Sequence, residues 1–279
     1  MSHAAPCVAP RRGPGERGLP THLLSNRDLG LQLYGDLARG RVSYAIGVFN
    51  GVVDAGSGDS DTNDGKDVAV RVFAHPFRNR PASPLRELGL GLAGTLGRQE
   101  GALPAYRAPG QVSFFTYTDT TTVDGRRLTP QAYWYAGRLG LLGEYAVSRQ
   151  KVRRQAVAAR LRHTAWQVAA SYVLTGEAST YRGVTPRAPF DPEKSQWGAL
   201  EAAARVHRLT LDRDAFPAFA NPARSARTAT AWSAGLNWHL SRNAKLNLDY
   251  EETRFTGVAP AGDDRKLEKI LFHRFQVAF

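Results

Sequence analysis

The sequence predicts an all-β chain, an antiparallel transmembrane β-barrel, on three observations. Apolar side chains recur at every second position in about thirteen separate segments, the period of a strand with two unlike faces. The alternate positions carry charges in mid-segment. Tyr and Trp gather near segment ends on the apolar side, where a ring sits half in lipid and half in water.

The segments follow in order. Residues 28–38 place Leu29, Leu31, Leu33 and Leu37 on one face, and residues 41–50 alternate Val42, Tyr44, Ile46 and Val48 against Arg41, Ser43 and Gly47. "DVAVRVFAH" sets Val68, Val70 and Val72 opposite Arg71 and His75, and near 86–97 leucines at 88, 90, 92 and 96 alternate mainly with glycines. Val112, Phe114 and Thr116 mark the fifth segment; Leu128, Ala132 and Trp134 the sixth; Leu139, Leu141 and Tyr145 the seventh; Val157, Ala159 and Leu161 the eighth. Trp166 to Leu174, Leu200 to Val206, Trp232 to Leu240 and Leu246 to Tyr250 continue the rhythm, and Leu271, Phe275, Val277 and Phe279 close it. Most are of a length suited to tilted membrane strands of ~9–11 residues. Turn signals separate them at 38–41, 123–126 and 240–243, and long polar connections fall at 51–66, 176–195, 211–226 and 257–266.

A soluble sandwich also alternates, but its apolar face meets a second sheet, whereas the apolar face of a membrane barrel meets lipid and the other face lines a wet lumen. Charges in mid-strand favour the lumen. Its basic candidates are Arg71, Arg127, Arg160, Arg162, Arg205, Lys245 and Arg274, with Glu144, Glu201, Asp249 and Glu251 as acidic counterparts. Arginine suits an anion pathway because its planar guanidinium offers a fork of donors and stays charged. Each arginine has a structural alternative, pairing with a neighbouring carboxylate; Arg205 lies four residues from Glu201 on one strand face. As a set they attract anions.

The formal net charge is +12, so a polyanionic partner is expected: nucleic acid, acidic lipid or anions in a pore. No run approaches the ~18 apolar residues that a membrane helix needs. The single cysteine, Cys7, excludes an internal disulfide. Residues 1–25 read as a disordered or atypical N-terminal segment rich in Pro, Gly and Arg, without the apolar stretch of a secretory signal, and residues 26–279 as one domain.

The chain ends "ILFHRFQVAF", a period-two strand that stops on Phe279. This resembles the C-terminal signature of bacterial outer-membrane barrels, which implies that Phe275, Val277 and Phe279 are read by the barrel assembly machinery. The interior carries a more specific resemblance. "GVFNGVVD" (47–54), "KDVAVRVFAHPF" (66–77), "YRAPGQVSFFTY" (106–117), "LTPQAYWYAGRLGLLGEYAVSRQ" (128–150), "AWQVAASYVLTGE" (165–177), "WGALEAAARV" (197–206) and "GLNWHL" (235–240) resemble the phosphate-selective porin O and P family, in order and spacing, from about Glu16 to Phe279. The resemblance implies an outer-membrane barrel of sixteen strands, usually trimeric, embedded in outer-membrane lipid. It implies passage of inorganic anions, in some members phosphate or polyphosphate, with selectivity from basic residues along the pore and on an inward-folded loop. The count of about thirteen strands of an expected sixteen, without a signal peptide, implies that roughly three N-terminal strands are missing. Outer-membrane localisation then rests on the complete gene supplying a signal.

Other motifs point away from chemistry. "GLGLAG" (89–94) fits a dinucleotide loop only if it opens a helix, and here its glycines alternate within a strand. "DSDTND" (59–64) begins like a calcium loop, but its glycine falls one place late and Val70 stands where the closing Glu belongs. The seven histidines show no metal-ligand spacing, and no nucleophile motif occurs. The sequence therefore implies neither enzyme nor cofactor nor metal. Two alternatives stand beside the anion channel: a soluble basic β-protein that binds a polyanion, and a truncated, non-functional porin fragment.

Overall fold

Alternation at period two turns each segment into a two-faced ribbon, and the computed structural model, which describes residues 18–58, 64–99, 101–257 and 266–278, joins these ribbons edge to edge. A 3-10 turn, Leu19–Leu23, precedes strands β1 (Gly30–Leu37), β2 (Val42–Phe49), β3 (Asp67–Ala74) and β4 (Gly89–Gly97). Three short strands follow, β5 (Gly101–Ala102), β6 (Tyr106–Arg107) and β7 (Ser113–Phe115). The long strands then resume with β8 (Thr121–Ala136), β9 (Leu139–Arg154), β10 (Val157–Val173), β11 (Ala199–Thr210), β12 (Thr228–His239), β13 (Ala244–Thr256) and β14 (Glu268–Val277). Among the described residues one sheet runs β1-β2-β3-β4-β8-β9-β10-β11-β12-β13-β14, every neighbour antiparallel, with β5 pairing beside β8. The order is that of an up-and-down barrel wall, with β1 and β14 as its two edges.

The all-β expectation holds, and the strand count changes from thirteen to eleven in the wall. The segments at 157–161 and 166–174 are one strand, β10, because "RHT" between them keeps the alternation: His163 and Ala165 turn inward with Leu161. The segment at 112–116 is the short β7, which pairs only with β6 and leaves the wall. Residues 18–25, placed by the sequence reading in the N-terminal segment, include the 3-10 turn, and its Leu19 and Leu23 are buried against the inner face of the sheet.

The two faces are inverted relative to a water-soluble protein. Large apolar side chains on the outer face stand exposed along the sheet: Leu31 is 85% exposed, Val70 44%, Leu248 47% and Phe275 62%. Buried positions of the same strands hold Asp67, Arg127, Glu144, Gln167, Glu201, Arg205, Asn247, Asp249 and Glu251. A patch this extensive is not left to water by a soluble monomer, and a barrel in lipid requires it. The expected aromatics lie on this outer face: register pairs Tyr44 with Val72, Tyr145 with Trp166, and Trp232 opposes Val206.

Two glycine-rich features have a local cause. Gly89 and Gly91, from the dinucleotide-like motif, sit in β4 beneath the stacked rings of Phe73 and Tyr133, 5.3 Å apart; a Cβ on either would lie 2.5 Å from a ring atom. The two-residue connection 137–138 between β8 and β9 uses Gly137 at φ +55°. Asp64, the described end of the calcium-like motif, precedes β3, and the motif's remaining residues lie outside the described ones.

The inverted faces give a direct test. Val70→Arg on an outer face bathed by water would shift stability by less than about 0.5 kcal/mol. Facing lipid near mid-strand it costs about 2–4 kcal/mol. Urea unfolding in lipid or detergent, followed by tryptophan emission, should show the larger loss.

Candidate functional site

The inner face is organised by the segment between β4 and β8. It is too apolar to remain at the rim: Leu103, Tyr106, Phe114, Phe115 and Tyr117 are all buried. The β6–β7 hairpin folds onto the concave side, where Tyr106 stacks on Phe115 at 5.7 Å and Phe115 meets Tyr117 edge-on at 4.8 Å. The Tyr117 hydroxyl lies 2.5 Å from Nε2 of His163 on β10, the Phe114 ring 5.6 Å from Phe255 on β13, and the Gly110 amide donates to Oε1 of Glu268 on β14 at 2.7 Å. One hairpin thus touches strands from β10 to β14, so the sheet curls around it. The 3-10 turn fills the space behind, its Leu19 amide donating to Nδ1 of His207 at 3.0 Å. Burial holds the His22 imidazole of this turn below its ordinary pKa; neutral, it donates from Nε2 to the Arg107 carbonyl at 2.7 Å.

The inward cations are held in three ways. Arg127 on β8 is buried and uses its whole fork: Nε donates to Asp54 Oδ1 at 2.6 Å, Nη2 to the Val52 carbonyl at 2.6 Å and to Gln99 Oε1 at 2.8 Å, and Nη1 approaches Asp67 Oδ2 at 3.5 Å. Gln150 donates to the other oxygen of Asp54, and Gln99 donates to Asp67 at 2.6 Å. This network pins residues 52–54 and Gln99 to the wall. Arg205 on β11 pairs across two strands with Glu251 at 3.0 Å, and His207 lies 3.2 Å from the same carboxylate. The expected partner Glu201 instead accepts from Asn237 at 3.0 Å, because inward residues on neighbouring strands lie closer than i and i+4 along one extended strand. Arg71 on β3 is half-buried over the Phe73 ring at 5.2 Å. Lys245 and Arg274 share the inner face, register placing Lys245 opposite His239 and Arg274 opposite the buried Asn247.

The expectation that Arg160 and Arg162 face the lumen is wrong. In β10 the inward positions are Leu161, His163, Ala165 and Gln167, so both arginines share the outer face with Val168 and Tyr172, and both are exposed. With them removed, the inner wall is near charge balance: Asp36, Asp67, Glu144, Glu201, Asp249, Glu251 and Glu268 stand against Arg71, Arg127, Arg154, Arg205, Lys245 and Arg274. Phe275 and Val277 point outward on β14, exposed as a lipid-facing closing strand requires, and Phe279 lies outside the described residues. Sequence reasoning missed Asp54 and Gln99, which accept from Arg127, and Gln150, which donates to Asp54 behind them. Asp54 and Gln99 lie in connections, where no periodicity marks which side chains point inward.

The family model described as phosphate-selective porin O and P matches residues 16–279. No curated protein matches the chain. Among solved structures, a porin refined at 1.8 Å resolution is 14% identical with a TM-score of 0.47, and the outer-membrane expressed OmpT of Vibrio cholerae is 12% identical with a TM-score of 0.46. Each comparison covers 88% of this chain and 61% of the solved one, so the chain spans about three-fifths of the length of those structures.

Proposed function

Because the chain belongs to the phosphate-selective porin O and P family, we propose that it forms an outer-membrane passive channel that favours inorganic anions, phosphate-like ions among them. The inverted sheet carries this reading: apolar side chains exposed outward on strand after strand, polar and charged ones turned in. A soluble polyanion-binding protein has no use for that outer face. The channel wall sits in outer-membrane lipid, with β14 running toward the periplasm as the last strand of a porin does. It assembles as a trimer, with Phe275, Val277 and Phe279 as the signal read by the assembly machinery.

Selectivity needs donors that replace part of the ion's water without trapping it. Arg127 and Arg205 are poorly suited, since both are buried in the wall and each is paired with a carboxylate there. In this reading they brace the wall, while Arg71, Lys245 and Arg274 form the inward cation set that meets the ion. The near-neutral wall gives weak, separated sites, and the formal +12 of the whole chain raises anion concentration at the mouths.

The zero-current potential across a planar bilayer in a KCl gradient tests this. Chloride preference is expected, and cation preference would sink the reading. Replacing Arg71, Lys245 and Arg274 together with Gln should move the potential toward zero, whereas Arg160→Gln with Arg162→Gln should leave it unchanged.

A further inference from the structure

We propose that the outer wall carries a binding site for phosphorylated lipid head groups, built by Arg126, Arg149 and Arg162 on one cross-strand rung and by Lys151 and Arg160 on the next. The site goes beyond channel function but rests on the membrane reading given above.

Strand length supplies the first argument. β8, β9 and β10 have 16, 16 and 17 residues, against the ~9–11 that a tilted strand needs to cross the hydrocarbon layer. Their outer faces divide at one level. From Leu128, Val147 and Thr164 down to Ala136, Leu139 and Tyr172 no outward position on these three strands is charged. The rung directly above is Arg126–Arg149–Arg162, and the next is Asp124–Lys151–Arg160. The cations therefore begin where the apolar belt ends, at head-group depth, on the rim that holds Glu268.

Electrostatics supplies the second. Side chains directly opposite on neighbouring strands lie about 5 Å apart at Cβ, and like charges so placed destabilise a sheet. Three guanidinium groups in one row violate that rule. Four of the five cationic side chains are exposed, and none forms an ion pair among the described residues. Two carboxylates lie near. Asp124 shares a rung with Lys151 and Arg160, and Asp212 spends its oxygens on the amides of Arg162 and Asp214, at 2.6 and 3.1 Å. These five cations line a cleft of about 340 Å³ together with Asp124, Gln150 and Leu161. Forked donors around such a cleft match phosphate oxygens. β8–β10 lie in the middle of the sheet, so neither sheet edge covers this face.

The occupant is a membrane lipid because the cations that line the cleft stand on the outer wall, on the two rungs above the lipid-facing belt. A pore ion would meet the inner face.

The test uses the full chain in detergent micelles, titrated with bisphosphorylated lipid A, its dephosphorylated form, and inorganic phosphate. Wild type should bind bisphosphorylated lipid A, and the combined R126Q, R149Q, R160Q and R162Q variant should bind it at least about a hundredfold more weakly, taking a few-fold per lost cation. The matching lysine set should retain binding within a few-fold, and all forms should keep the same heat-modifiable migration. Equal lipid A affinity in wild type and the glutamine variant would overturn the proposal, as would equal affinity of wild type for dephosphorylated lipid A. Displacement of the lipid by millimolar inorganic phosphate would do so too, assigning the cleft to free phosphate. If wild type lacks a heat-modifiable form, the membrane reading fails instead, and this inference with it.

Discussion

Arg127→Ala should lower unfolding stability by about 3–5 kcal/mol, the range for removing one partner of a buried charge cluster. The reason is what stays behind. Asp54 and Asp67 are both buried, and among the described residues Arg127 is the cation within ion-pair distance of each. Without it two carboxylates remain buried without that cation, and Val52 and Gln99 lose their donor. Arg127→Lys keeps the charge but has no fork for four acceptors, so an intermediate loss is expected. Asp54→Asn placed in the Arg127→Ala background should recover part of the stability by removing one orphaned charge. Urea titration followed by heat-modifiable migration measures all three. If Arg127→Ala and wild type unfold at the same urea concentration, the network is not holding the wall together.

That network also shows where the sequence was legible. Strands read well because the pattern repeats at period two and lipid enforces it: a one-residue slip would put every apolar side chain on the wrong face. Leu246, Leu248 and Tyr250 opposite Asn247, Asp249 and Glu251 are assigned by alternation alone, and the structure turns them as expected. Alternation went wrong where phase could not be carried across a segment. Splitting β10 in two allowed Arg160 and Arg162 to be assigned a face by charge instead of by parity with Trp166 and Val168, and the assumption that charge means lumen chose the wrong side. The rule that polar faces inward holds only within the hydrocarbon layer; above it a strand meets water on both faces, and long strands such as β8–β10 reach that zone. "VSFFTY" alternates like a wall strand but is bounded by Pro109–Gly110 and by Asp119 at φ +40°, and turns off the sheet. Its rings find burial against the inner wall, a tertiary outcome that local pattern does not encode.

The inward hairpin should govern how much current passes. It packs on the concave side from His163 to Glu268, with its aromatic rings buried there. Replacing residues 104–118 by a short Gly-Ser linker should therefore raise single-channel conductance several-fold in a planar bilayer and weaken any ion preference, since a wider lumen lets ions keep their water. The deletion also strips buried aromatics, each worth about 3–5 kcal/mol on truncation, so a gain of current through a damaged wall must be separated from a gain through a wider one. Glu268→Gln makes that separation. It weakens the contact holding the hairpin tip at the Gly110 amide without removing a ring from the core. If the hairpin gates the lumen, Glu268→Gln keeps the urea midpoint near wild type yet shows frequent transitions to the high-conductance level of the deletion. If both variants conduct as wild type does, the hairpin is packing for the wall and the permeating ions take another route.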